Sequence, residues 1–161
     1  MVKLAFLLFT FSSFIPNRNS NVYKCSANLG QLKFDTLQYA VIKYKGGRYP
    51  NFDSAVPSDL SSIEIDTVFS LLKRAIVVHN RTIHNKFYVV RDLEEYKFQF
   101  VPIVNVKGEK IVWINAFCGT FGANNWKKDI VLVMDGGNCY FQAKINLTTK
   151  SVFEIGTNGL G

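Results

Sequence analysis

YKFQFVPIVNV at residues 96–106, KIVWINAFC at 110–118, DIVLVM at 129–134, NCYFQAKI at 138–145 and SVFEI at 151–155 together decide the fold. In each run apolar and polar residues alternate, and β-branched or aromatic side chains dominate, which is the pattern of a half-buried strand. Turn residues separate the runs: Lys107-Gly108-Glu109, the longer loop 119–125, Asp135-Gly136-Gly137 and residues 146–149. Short connections of this kind make successive strands antiparallel neighbours. The expectation is an antiparallel β-meander of four to five strands.

Side-chain parity assigns the faces. In the fourth run Cys139, Phe141, Ala143 and Ile145 fall on one side, and Tyr140, Gln142, Lys144 and Asn146 on the other. One side is expected to pack against a core and the other to meet water. IVWI (111–114) and IVLVM (130–134) are apolar on both faces, so they belong inside the sheet or under cover from the N-terminal half. Pro102 cannot donate to a ladder, so the first run reads as an edge strand or as one bulged at that point.

Upstream, Ser58 to Ser62 carry several potential helix caps, and Ser61 with Glu64 has capping-box spacing. Beyond them Ile65, Val68, Phe69, Leu72 and Ile76 recur on one helical face, predicting a helix from Ser62 to His79. A single helix packed across an antiparallel sheet makes the fold class α+β, in a cystatin-like or inhibitor-like layout, with residues 58–161 as one domain. Residues 21–57 read as an irregular lead-in holding one strand at Leu37–Lys45, which Gly46-Gly47 ends. Residues 80–95 fit either a short strand at Phe87–Val90 or more helix.

The first 20 residues read as a signal peptide. Lys3 precedes the apolar run LAFLLFTFSSFI (4–15), which has the length of a leader core and is too short to cross a bilayer comfortably. Val22, Tyr23 and Lys24 ahead of Cys25 do not suit lipid attachment, so the expectation is a freely soluble secreted or periplasmic protein with no transmembrane segment once the leader is removed. The chain of 161 residues suits one domain. Its formal charge of +7 is spread over scattered lysines with no arginine-rich tract, which argues against a nucleic-acid partner.

Three cysteines cannot all pair within one chain. In a five-stranded meander Cys118 closes one strand and Cys139 opens another at the opposite end of the sheet, roughly 20 Å away at about 3.3 Å per residue. A disulfide needs Cα atoms within about 7 Å. That topology argues against a Cys118–Cys139 bridge, leaving Cys25 with Cys118 or Cys139, or three thiols. His79 and His84 share no helical face and lie beside no protease-like cysteine signature, so no catalytic residue is expected. No metal-ligand spacing and no cofactor motif occurs. Asp135-Gly136-Gly137-Asn138 reads as turn chemistry before it reads as a site.

From residue 97 onward the chain resembles small exported proteins of unknown function found in Bacteroidetes-type bacteria. Gly108-Glu109-Lys110, Trp113-Ile114-Asn115 leading to Cys118, Trp126-Lys127-Lys128, Asp135-Gly136-Gly137 and Asn158-Gly159 carry the resemblance. It implies an exported single-domain protein, and it brings no activity or site.

The functional expectation is a non-catalytic binding or envelope-associated module that contacts an unknown protein or envelope ligand. Phe121, Trp126, Lys127 and Asp135 are the candidate contact residues, because aromatic side chains on loops commonly anchor partners. The competing expectation is a small hydrolase or ligand carrier whose pocket lies between helix and sheet.

Overall fold

The computed structural model describes residues 35–47, 50–119 and 124–161. The expected leader, Cys25 and Phe121 lie outside the described residues.

Helix α1 runs Ser62–Thr82. Its start is the anticipated capping box: Glu64 donates its backbone N–H to Ser61 Oγ at 3.3 Å, and Ser61 N–H donates to Glu64 Oε2 at 2.8 Å. Two of the free donors of the first turn are thereby satisfied. The buried face comprises Ile65, Val68, Phe69, Leu71, Leu72, Ala75 and Ile76. After the helix the chain forms single 3-10 turns at Lys86–Tyr88 and Leu93–Glu95, neither a strand nor more helix. Asn80 fixes this path: its amide donates to Val90 O at 2.8 Å, and its carbonyl accepts from Val90 N–H at 2.9 Å.

Among the described residues the sheet has six strands: β1 Tyr39–Val41, β2 Val56–Pro57, β3 Lys97–Val104, β4 Lys110–Phe117, β5 Tyr140–Asn146 and β6 Ser151–Thr157. Their order is β1-β3-β4-β5-β6, with β2 also pairing to β3. β1 runs parallel to β3, and every other pair is antiparallel. The parallel pair is possible because α1 lies in the crossover between β1 and β3. The class is therefore α+β with a mainly antiparallel sheet.

Residues 37–57, read from sequence as a lead-in outside the domain, supply two of these strands.

Pro102 lies in neither an edge strand nor a bulge, since β3 pairs with β4 in unbroken register from Lys97↔Phe117 to Val104↔Lys110. Ser58 N–H donates to Pro102 O at 3.1 Å, so that carbonyl, and with it the proline nitrogen, faces away from β4. On that side β1 reaches only Phe100 and β2 begins at Ile103. The residue without an N–H sits where one short neighbour gives way to the next.

Helix and sheet share one core. Phe98 and Phe100 of β3, Val112, Ile114 and Ala116 of β4, and Phe141, Ala143 and Ile145 of β5 form one buried cluster with the apolar face of α1. The Phe69 ring stands edge-on to those of Phe98 and Phe100, with centroids 5.2 Å apart in both pairs. Edge-to-face packing at this distance is favourable beyond the burial itself.

Two expectations are overturned together. Residues 129–134 do not join the sheet, and β4 pairs directly with β5, Phe117 opposite Tyr140. The flanking residues are therefore adjacent, and Cys118 and Cys139 form a disulfide with Cα atoms 5.0 Å apart. The 20 Å separation assumed an intervening strand that is absent. With both sulfurs bonded to each other, neither is available to pair with Cys25.

Candidate binding groove on the outer face of the sheet

The outer face of the sheet, expected to meet water, is covered by two irregular segments. Ala40 of β1 with Ile42, Tyr44 and Phe52 after it lie on Val101 and Trp113, while Trp126, Ile130, Val131 and Val133 extend the cover over Trp113, Phe117 and Tyr140. Apolar residues on both faces of β4 are explained by this double cover.

A row of side-chain amides fastens the second segment. Gln99, Asn115 and Gln142 are direct cross-strand neighbours on β3, β4 and β5. Gln99 Nε2 donates to the carbonyls of Trp126 and Asp129, and Gln99 Oε1 accepts from Val131 N–H at 2.9 Å. Asn115 Nδ2 donates to Gln99 Oε1 at 3.0 Å and to Val131 O at 2.7 Å. Gln142 Nε2 donates to Asn115 Oδ1 at 3.2 Å and to Asn158 Oδ1 at 3.3 Å. Asn158 Nδ2 donates to the carbonyls of Val133 and Asp135. Both N–H bonds of every amide are used, so the row, buried except for the half-buried Gln142, has no orphaned amide donor.

Beside this cover a cavity of about 450 Å³ remains open on the same face. Ile103 and Ile111 give it apolar walls, and loop residues Phe52 and Asp53 close one side. Asn105, Glu109 and Asn146 supply polar groups, and Phe153 of β6 lines it as well. A second cavity of about 360 Å³ shares Asn51 and Lys144 with the first and is lined by Leu132 and Met134 as well. The first, a groove on the sheet, has the size that small-molecule sites occupy.

Local structure places each polar group. Asn105 and Glu109 close the β3–β4 hairpin: Asn105 Oδ1 accepts from the N–H groups of Lys107 and Glu109, and Gly108 takes the left-handed conformation that the turn requires (φ 75°). Asn105 Nδ2 donates to Glu109 Oε2 at 2.8 Å. This bond, with a second from the Asn146 side chain, holds the Glu109 carboxyl below the usual carboxylate range. Lys144 Nζ pairs with Glu154 at 2.8 Å and lies 5.8 Å from the centroid of the Phe52 ring. Phe153 owes its position to a β-bulge. Ile145 pairs with Val152 and Lys144 with Glu154, so Phe153 is the unpaired extra residue. Bulges re-aim side chains, and this one leaves Phe153 40% exposed beside the groove.

The residues singled out from sequence do not converge here. Trp126 is half-buried, edge-on to Phe117 at 5.8 Å, with Lys97 Nζ and Lys127 Nζ over its ring at 5.3 and 5.4 Å. Asp135 gives its carbonyl to Asn158, at the far end of the amide row from the Gln99 that holds Trp126. Three strand spacings separate those ends, roughly 14 Å. Lys127 and Trp126 touch; Asp135 stands apart from both.

Gln99, Asn115, Gln142, Asn105, Glu109 and Phe153 were missed. Gln99, Asn115 and Gln142 did leave a signal, an amide in the middle of each apolar run. Phe153 left none, because a bulge is not visible in alternation.

For nucleophilic chemistry the arrangement offers little. Cys118 and Cys139 are bonded to each other, and His79, its pKa pushed down by burial, lies near the end of α1. Among the described residues no three of His, Cys, Asp or Glu gather as a metal site, and no helix is long and apolar enough to cross a membrane.

No protein-family model, curated protein or solved structure matches this chain.

Proposed function

We propose that this protein is an exported, non-catalytic binding module that holds a small ligand in the groove on the outer face of its sheet. The observation that carries the reading is the coexistence of a filled helix–sheet core with a 450 Å³ groove on the opposite face, lined by both rings and hydrogen-bonding groups. A carrier pocket between helix and sheet is disfavoured by the side chains that occupy that space, from Phe69 to Ile145. The layout is read as a variant of the cystatin-like arrangement, one helix laid across an antiparallel sheet, here with a parallel strand added at one edge.

Export rests on the apolar run of residues 4–15 and is supported by the Cys118–Cys139 bridge, since disulfides persist in oxidising compartments. The small exported proteins that the C-terminal part resembles are proposed as relatives on the same ground.

Heteronuclear NMR on the ¹⁵N-labelled chain, titrated with a mixture of small neutral fragments, tests the reading. Shifts clustered at Phe52, Asn105, Glu109, Asn146 and Phe153 are expected. Shifts centred on Phe69, Phe98 and Ile114 would instead favour a pocket between helix and sheet, and an unchanged spectrum would reject both. Intact mass of the protein recovered from its native host tests export through loss of the leader.

A further inference from the structure

We infer that the groove takes a neutral, hydroxyl-rich ligand of the saccharide class; the inference rests on the binding reading above and specifies its ligand. The sequence as a whole is basic, with a formal charge of +7, which at first suggests an anionic ligand. The groove itself contradicts that. Its lysine, Lys144, is neutralised by Glu154 at 2.8 Å, and Asp53 and Glu109 add negative charge. An incoming anion would meet no free cation and two carboxylates.

What the groove does offer is hydrogen bonding without attraction for an anion. Asn105 Oδ1 is fully used by two backbone N–H groups, yet its Nδ2 has given only one of its two hydrogens, to Glu109. Asn146 lines the groove as well, its oxygen accepting from Thr149 N–H at 3.0 Å and its side chain near enough to help lower the Glu109 pKa. The Glu109 carboxylate takes the Asn105 bond and keeps further acceptor sites. A carboxylate that accepts from one hydroxyl, beside amide N–H groups that donate to the next, supplies what adjacent ring hydroxyls need.

The apolar side of the site fits the same ligand. A pyranose ring presents C–H groups on its faces and hydroxyls around its edge. The bulge turns an exposed Phe153 ring to the groove, and Phe52 lines it from the loop side. A purely apolar ligand would desolvate Asn105, Asn146 and Glu109 without replacing their water bonds, at a cost for each group.

The test uses the full folded chain, ¹⁵N-labelled, with maltose, cellobiose and N,N′-diacetylchitobiose as saccharide probes to about 10 mM, enough to detect millimolar binding. Dodecanoate is the apolar and anionic probe. Saturable shifts at Asn105, Glu109, Asn146 and Phe153 with at least one sugar are expected. Phe153→Ala and Glu109→Gln, both at solvent-accessible positions, should each weaken Kd by about tenfold or more while leaving the rest of the spectrum in place. Shifts in the groove with dodecanoate and none with any sugar would overturn the saccharide assignment and leave the groove standing as a site. No shift in the groove with any probe would overturn both.

Discussion

Val131 donates its backbone N–H to the side-chain oxygen of Gln99 at 2.9 Å, so a loop is held to the sheet by a side chain where a neighbouring strand would use its backbone. Gln99 also donates to the carbonyls of Trp126 and Asp129, and is itself 0% exposed. A single residue thus satisfies three loop backbone groups.

Gln99→Leu keeps the approximate side-chain volume and removes all of these partners. Leaving buried backbone groups unpaired costs about 1–3 kcal/mol each, so the variant should lose at least about 2 kcal/mol of stability after partial rescue by water. Urea unfolding measures the loss, and hydrogen exchange should show the Val131 amide opening well before those of β4. A Val131 amide that stays as protected as in the parent chain would contradict the anchoring role.

The same residue shows where the sequence was legible and where it was not. The run 129–134 reads as a strand in the sequence, and its side chains do turn inward alternately: Val131 is buried and Val133 packs toward the sheet, while Leu132 and Met134 are exposed. Alternation reports which side chains turn inward, and an extended segment lying on a sheet has the same signature as a strand paired within it. What distinguishes the two is where the backbone bonds go, and here they go to the side-chain amides of Gln99 on β3, Asn115 on β4 and Asn158 beyond β6. Helix α1, whose cap and apolar face are local features, was readable to within a few residues of its end. The groove was not, because it arises where the 50–55 loop, the β3–β4 hairpin and a bulge in β6 come together, and none of these contacts is local.

Reduction of Cys118–Cys139 should loosen the same cover from its base. The bond closes a loop of 21 residues, and cross-linking a loop of that size stabilises a protein by about 3 kcal/mol through the unfolded chain. The double variant Cys118→Ala, Cys139→Ala is expected to unfold at correspondingly lower denaturant. Thiol alkylation before and after reduction, read by mass, should reveal two masked cysteines in the native protein. Two freely alkylated thiols at 118 and 139 without reductant would show that the bridge does not form.

Phe69 is the residue on which helix and sheet depend most, because its ring contacts those of Tyr39, Phe98 and Phe100 at once. Phe69→Ala removes these contacts and leaves a cavity, a change that costs about 3–5 kcal/mol in a close-packed core. Phe87→Ala, at a position 51% exposed, should cost less than about 1 kcal/mol. Thermal unfolding of the pair gives the comparison directly, and equal losses would contradict the assignment of the core to this interface.

Glu64 should give the protein an acid-sensitive step. Its carboxylate accepts from Lys110 Nζ at 2.6 Å and from Ser61, joining the start of α1 to the start of β4. The Lys110 bond, followed by the capping bonds, holds its pKa below the ordinary value of 4.5. Because folding lowers this pKa, the ionised form stabilises the native state fully above the ordinary value. That contribution fades as pH falls through the lowered folded value, where the native carboxylate is protonated. Glu64→Gln keeps an acceptor for the cap and removes the charge, so at neutral pH it should cost less than about 1 kcal/mol, as a partly exposed ion pair does. Its stability should then fall less steeply than that of the parent between pH 5 and pH 3, roughly the interval in which carboxylates titrate. Parallel acid branches for the two proteins in urea unfolding would show that Glu64 is not linked to folding in this way.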